Sequence, residues 1–195
     1  MRVTGGELKG RRIRVPSGAS VRPTADRVRE SVFARLGDFE GASVLDLFAG
    51  SGALGIEALS RGAASAVFVE RAGAVAAVLR SNLDSLDLAN RSRVLRADAP
   101  GAVRRLAQEG LRFDLVLLDP PYAEPDAAER TLRALATSGI LARHATLVVE
   151  ASRRAPPAAV EGLVAVDERR YGDTLVIRLE PADPGVQQRA ERNGE

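Results

Sequence analysis

The stretch Ser43–Gly55, SVLDLFAGSGALG, constrains the fold of this chain more than any other. An apolar run (Val44, Leu45, Leu47, Phe48) stops at Gly50-Ser51-Gly52, and small apolar residues at helical spacing follow (Ala53, Leu54, Ile56, Ala58, Leu59). That order is strand, tight turn, helix. The glycines let backbone approach a ligand closely, and the helix N-terminus adds N–H donors beside it. Gly50–Gly55 fits G-x-G-x-x-G, and Glu70 lies at the end of the next apolar run, twenty residues beyond Gly50. An acid there suits the two hydroxyls of a ribose, so the segment predicts a nucleoside cofactor.

The fingerprint alone does not choose between a nicotinamide dinucleotide and S-adenosylmethionine. Asp46, at the strand end just before the turn, tilts the choice. A carboxylate there repels a pyrophosphate and attracts the ammonium of a methionine moiety.

The 195 residues fit one domain with a small appendage, and 45% apolar content suits a globular core. There is no cysteine, which removes disulfides, a thiol nucleophile and the cysteine route to carbon methylation of pyrimidines. The single histidine, His144, cannot build a metal cluster and is expected at the surface. No metal is expected. No apolar stretch reads as a signal peptide or membrane span, so the expectation is a soluble cytoplasmic protein. The net charge of +2 is unevenly spread: residues 1–35 hold nine Arg/Lys against three acids, leaving the rest net acidic. A basic arm on an acidic body suits a polyanion, and nucleic acid is the expected partner. Arginine outnumbers lysine 27 to 1, so the preference for arginine itself carries little weight.

Residues 1–21 carry Gly5-Gly6, Lys9-Gly10 and Pro16-Ser17-Gly18, with alternating basic and apolar residues over Arg11–Val15. They predict a short, basic, half-exposed hairpin projecting from the domain. A helix is expected from Thr24, as its N-cap, to Gly37, with Val28, Val32, Phe33 and Leu36 on its apolar face and Arg27, Arg29 and Glu30 off it. Strand-like and helix-like runs then alternate. Strands are expected at Ala66–Val69, Val94–Ala97, Phe113–Leu118 and Thr146–Val149, and helices at Ala72–Leu86, Ala102–Gln108 and Ala127–Ala136. Acids close several strands (Glu70, Asp98, Asp119, Glu150), which implies ligands at the carboxyl edge of an open parallel sheet. Leu163–Arg169 and Thr174–Leu179 have no room for a helix between them and predict an antiparallel hairpin. With the apolar run that holds Val44, Leu45, Leu47 and Phe48 the count is seven strands. Residues 22–180 form the main domain, and 181–195 are expected to be a frayed tail.

Asp119-Pro120-Pro121-Tyr122 decides the chemistry. Two prolines turn the chain out of the sheet and leave carbonyls as acceptors. The carboxylate of Asp119 and a carbonyl of the turn can bind the two hydrogens of an exocyclic base amine, orienting its lone pair, while Tyr122 stacks on the ring.

Asp46-Leu-Phe-Ala-Gly-Ser-Gly52 with Asp119-Pro-Pro-Tyr122 resembles the S-adenosylmethionine-dependent amino-methyltransferases. Gly5-Gly6, Lys9-Gly10-Arg11, Arg22-Pro23-Thr24, Asp26-Arg27-Val28-Arg29-Glu30 and Glu57-Ala58-Leu59-Ser60-Arg61-Gly62 further resemble the RsmD-type bacterial 16S ribosomal RNA guanine-N2 methyltransferases, over about residues 2–180. The resemblance implies a Rossmann-like class I methyltransferase: a mostly parallel seven-stranded sheet, a C-terminal antiparallel hairpin and a small N-terminal β-hairpin. It implies that Asp46, Gly50 and Gly52 hold the methionine and ribose end of S-adenosylmethionine, with Phe48 beside them. Glu70 takes the ribose hydroxyls, and Asp98 with Ala99 the adenine. Asp119, Pro120 and Tyr122 hold the guanine amine. Lys9, Arg11, Arg12, Arg14, Arg22 and Arg27 face the RNA, which is 16S ribosomal RNA in the small subunit or its assembly intermediate, bound by a monomer. The Asp-Pro-Pro-Tyr motif is shared with DNA adenine-N6 and cytosine-N4 methyltransferases, but no target-recognition domain is visible. A nicotinamide-dependent oxidoreductase and a non-enzymatic RNA-binding assembly factor also compete for parts of the pattern.

Overall fold

Near-continuous burial marks the strands at the middle of the sheet. The computed structural model describes residues 1–16, 23–36, 39–121, 124 and 126–182. Its elements are α1 (Pro23–Phe33), β1 (Ser43–Leu47), α2 (Ala53–Ser60), β2 (Ser65–Val69), α3 (Gly73–Ser85), β3 (Ser92–Leu95), α4 (Ala99–Gln108), β4 (Phe113–Leu118), α5 (Asp126–Ser138), β5 (Leu141–Ser152), β6 (Leu163–Tyr171) and β7 (Thr174–Pro181). One sheet of seven strands has the order β3-β2-β1-β4-β5-β7-β6. The first five strands are parallel, and β7 runs antiparallel to both of its neighbours. Helices cover both faces, so the central strands are apolar on both sides. Val44, Phe68, Leu117 and Val148 face α1, α2 and α3, whereas Leu45, Val69, Val116 and Val149 face α4 and α5.

The seven-strand layout and the closing hairpin match the expected Rossmann-like architecture. Boundaries differ where an edge or a cap decides them. The third strand is Ser92–Leu95, two residues earlier than Val94–Ala97. It is an edge strand, so polar Arg93 can pair with β2 while its side chain stays exposed. The fourth helix starts at Ala99, not Ala102, because Asp98 caps it: Oδ1 accepts the Gly101 N–H at 2.9 Å, with Pro100 in the first turn. β5 spans twelve residues, longer than Thr146–Val149 at both ends, and carries His144 in an exposed position. α1 begins at Pro23, so Thr24 falls inside it, and it ends at Phe33, short of Gly37. Gly37 and residues 183–195 lie outside the described residues.

The N-terminal arm does not project. It makes an antiparallel bridge between Arg2 and Arg12, with Val3 N–H to the Arg11 carbonyl at 3.0 Å and Ile13 N–H to the Met1 carbonyl at 3.0 Å. Val3 and Ile13 are buried in the same core as α1–α3. A two-stranded ribbon this short cannot stand alone, and its alternate apolar residues are satisfied only against the body. Helix α2 clasps it. Glu57 accepts the Thr4 N–H at 2.8 Å and its hydroxyl at 2.6 Å, while Ser60 Oγ accepts the Leu8 N–H at 2.9 Å and donates to the Gly5 carbonyl at 2.6 Å.

Arg29 is a second correction. Placed by spacing off the apolar face of α1, it is buried. Its Nε pairs with Glu57 at 3.1 Å, and Nη2 donates to the Arg2 carbonyl. Arg61 completes the cluster, with Nε 2.8 Å from Glu57. Burial pushes the Glu57 carboxyl up, but the Thr4 and Arg61 hydrogen bonds and the Arg29 charge outweigh it and hold it below its ordinary value. Arg27 and Glu30 are exposed, as expected.

Candidate active site

Adjacent parallel strands whose crossovers leave in opposite directions open a crevice at their carboxyl ends. In this sheet that point lies between β1, which leads to β2, and β4, which leads to β5. Both strands end in residues singled out above. β1 runs into Phe48, Ala49 and Gly50, and β4 into Asp119, Pro120 and Pro121.

The turn after β1 is tightly specified. Phe48, Gly50 and Gly52 all have positive φ, at 64°, 56° and 85°. Gly52 carries a second constraint, since a Cβ there would lie 2.3 Å from Leu79 Cδ1. Its N–H donates to the Ala49 carbonyl at 2.7 Å, and that of Gly50 to Glu70 Oε2 at 3.1 Å. The glycines therefore shape the turn, and these two N–H groups are already engaged. The other oxygen of Glu70 accepts the Ala72 N–H at 2.8 Å, which fixes the carboxylate at the tip of β2.

Asp46 is buried on the α2 face of β1, where Oδ2 accepts the Gly55 N–H at 2.9 Å. Gly55 must be glycine for this contact, because a Cβ there would meet the Phe68 ring at 2.3 Å. Burial is the main cause that raises the Asp46 carboxyl to about 7. The negative charges of Asp119 and Glu70 add to it, and the Gly55 hydrogen bond opposes it. Three carboxylates from three strand ends thus raise the local negative potential, which favours a cationic ligand.

One cavity of about 510 Å³ opens here, lined by Phe48, Glu70, Asp98, Ala99, Asp119 and Pro121 among others. That volume lies in the range of small-molecule sites. Asp98 lines it although its Oδ1 caps α4. Asp46, Gly50 and Gly52 do not line it, and Pro120 is buried and lines a smaller neighbouring crevice with Ser152 and Pro157. Tyr122 lies outside the described residues. Spacing did not single out Arg71, Glu124, Arg130 or Thr131, which also line the cavity. Arg71 and Glu124 form an ion pair that links the β2 end to the segment after β4. The position of Arg71 directly after Glu70 was a usable signal. Glu124 and Arg130 had none, because only tertiary packing brings α5 and the segment before it to the rim.

The basic residues split into two kinds. Lys9, Arg12 and Arg27 are exposed. Arg11 Nη2 donates to the Ser85 carbonyl at 2.9 Å, and Arg14 Nη1 reaches Ser81 Oγ at 3.4 Å, so both also pin the arm to α3. Arg22 lies outside the described residues. No helix among the described residues is long and apolar enough to cross a membrane.

A family model described as conserved hypothetical protein 95 matches residues 1–179. The ribosomal RNA small subunit methyltransferase D of Escherichia coli K12 is 42% identical over 151 residues, 77% of this chain and 74% of its own. This chain belongs to the RsmD family. The ribosomal RNA small subunit methyltransferase D of Haemophilus influenzae is 32% identical over 173 residues, 88% of this chain and 89% of its own. The solved structure of yhhF from Escherichia coli superposes with a TM-score of 0.81 at 36% identity, over 93% of this chain and 97% of that one. A methyltransferase structure titled SMU.776, complexed with SAH, shares the fold at 14% identity with a TM-score of 0.68. In this RsmD-family chain the match spans the clasped arm, the glycine turn and the Asp119 loop alike.

Proposed function

We propose that this chain methylates the exocyclic N2 amine of a guanine in the RNA of the small ribosomal subunit, acting as a monomer and using S-adenosylmethionine. The observation that carries the reading is the cavity at the switch point, which Phe48, Glu70, Asp98, Ala99 and Asp119 line, with the buried Asp46 carboxylate behind it and close enough to Glu70 and Asp119 to feel their charge. The residues suit the donor. Glu70, held by two backbone N–H groups, has lone pairs to offer ribose hydroxyls. Asp98 and Ala99 at the α4 start would take the adenine. The acidic floor around Asp46 suits an ammonium and a sulfonium. Bound there, S-adenosylmethionine supplies a methyl group made electrophilic by its positive sulfur.

The work left to the chain is positioning and charge stabilisation. The Asp119 carboxylate and the Pro120 carbonyl would accept the two amine hydrogens, which aims the nitrogen lone pair into the crevice. As positive charge grows on that nitrogen, the hydrogen bond to Asp119 strengthens, a gain realised mainly in the transition state. Tyr122 would stack on the extruded base. The proton lost from the amine passes to Asp119 or to water at the open rim.

Lys9, Arg11, Arg12, Arg14, Arg22 and Arg27 would hold RNA phosphates, sequence-independent contacts that position the substrate. The experiment is direct. Small subunits from cells lacking the gene, incubated with the protein and methyl-labelled donor, should gain one N2-methylguanosine by mass spectrometry. Label on duplex DNA, or on an adenine or cytosine amine, would replace this reading with that of a DNA methyltransferase.

A further inference from the structure

Asn82, on α3, is fully buried, and its amide binds backbone from two other segments. Oδ1 accepts the Arg14 N–H at 2.9 Å, and Nδ2 donates to the Arg14 carbonyl at 2.9 Å and to the Ser51 carbonyl at 2.9 Å. Both polar backbone groups of Arg14 therefore end on one side chain, as they would on a neighbouring strand. Ser51 is the middle residue of the glycine turn, and the next link is Gly50 N–H to Glu70. Hydrogen bonds at either end of the Gly50-Ser51 backbone thus link the basic arm, through Asn82 and the glycine turn, to the acid assigned to the ribose. The guanidinium groups of Arg11 and Arg14 reach Ser85 and Ser81 on this same helix, so the arm's cations and the amide that holds its backbone share one support.

We infer that Asn82 is a positioning residue coupling the arm to the glycine turn, so that RNA on the arm and the methyl donor at the turn strengthen each other's binding. The inference rests on the cofactor and RNA reading above. Its physical basis is that a buried amide with three partners tolerates the loss of any one poorly. Holding the arm fixes Asn82, and Asn82 holds the Ser51 carbonyl. The second ligand then meets a turn whose ordering cost has already been met by the first. By linkage the effect is reciprocal and equal in both directions.

The test measures S-adenosylhomocysteine affinity by calorimetry, with and without unmodified small subunits, for the wild-type protein and Asn82→Ala. In the wild type, subunits should tighten S-adenosylhomocysteine binding by about fivefold or more, the usual lower range of coupling between sites. In Asn82→Ala the factor should fall to about one. The KM for S-adenosylmethionine should rise, while kcat at saturation of both substrates stays within about twofold of wild type. A purely structural Asn82 would lower the melting temperature and leave the coupling factor and KM of the folded protein unchanged, which overturns the inference. The wild type supplies a readout independent of the variant's folding. S-adenosylhomocysteine should slow amide hydrogen exchange over residues 11–15, and unchanged exchange there sinks the inference. A protein that shows arm protection but methylates no ribosomal RNA keeps the coupling and removes the substrate reading. One that methylates the subunit with no arm response does the reverse.

Discussion

At the scale of single residues, Asp46 and Asp119 make opposite demands. Asp46 is buried with its carboxyl raised to about 7. Below about pH 4 it is protonated in folded and unfolded chains alike and costs nothing. As the pH rises, the unfolded chain releases the proton first. The folded chain is therefore progressively disfavoured up to about pH 7, and the full cost remains above that. Asp46→Asn keeps an acceptor for Gly55 and removes the ionisation. The variant should melt at a higher temperature than wild type at pH 8, with the gap closing towards pH 5, as thermal scans across that range would show. The same variant should bind S-adenosylmethionine poorly. Wild-type affinity should weaken as the pH falls below about 7, because a cationic ligand prefers the ionised form. Asp119 is exposed and lines the cavity, so its removal should spare the fold. Asp119→Ala is expected to lower kcat by roughly 100- to 1000-fold, the usual loss for one transition-state hydrogen-bond partner, with S-adenosylhomocysteine affinity within about twofold. Equal loss of both would move Asp119 out of the chemistry. Both acids were legible in the sequence, because an acid within or just after the end of an apolar run, beside a glycine or proline turn, adds nothing to the packing of the sheet and points to a ligand. The raised state of Asp46 was not legible, since it depends on Gly55 and on two acids from other strands.

Among the elements, the N-terminal arm shows where reading by spacing stops. Its alternation was visible, but its docking was not. Arg29 lies 28 residues from Glu57 in sequence, and a charge on an amphipathic helix reads as solvated until its partner is known. In the sequence, Glu57–Gly62 stands out only through the family resemblance. The structure gives Glu57, Ser60 and Arg61 a physical task, which is to clasp the arm. Glu57→Ala takes a carboxylate away from the buried Arg29 guanidinium and an acceptor away from Thr4. It should cost about 3–5 kcal/mol of stability by urea unfolding, the range for breaking a buried ion pair from one side. Replacing Arg29 and Glu57 together by Met and Leu should recover much of that loss, because the buried cation is then removed along with the carboxylate. A double variant as unstable as Glu57→Ala would mean that the Thr4 hydrogen bonds, not the ion pair, are the clasp. The strands at the middle of the sheet were read closely because they are buried on both faces. The edge strand β3 and the less buried ends of β5 slipped by residues because polar side chains are tolerated there.

For the whole molecule, the arm is part of the body, so RNA held by it, as proposed, would be presented to the crevice at a fixed distance. The basic residues then divide by what the body already asks of them. Arg11 and Arg14 hold α3 as well as carrying charge, whereas Lys9 and Arg12 are exposed and have no such bond. Charge removal at the second pair should act on RNA alone. Each phosphate that the arm ceases to neutralise should flatten the dependence of log affinity on log salt by roughly 0.7–0.9 units, whichever RNA sequence is bound. Lys9→Gln with Arg12→Gln is therefore expected to lower the slope by about 1.4–1.8 units and leave the melting temperature unchanged. Arg11→Gln with Arg14→Gln should flatten the slope and also lower the melting temperature, since the pins to Ser85 and Ser81 go with the charges. Filter binding of small subunits between about 50 and 200 mM salt, beside thermal melts, separates the two pairs. If both pairs lower stability alike and leave the slope untouched, the arm is a structural flap and RNA is gripped elsewhere on the molecule.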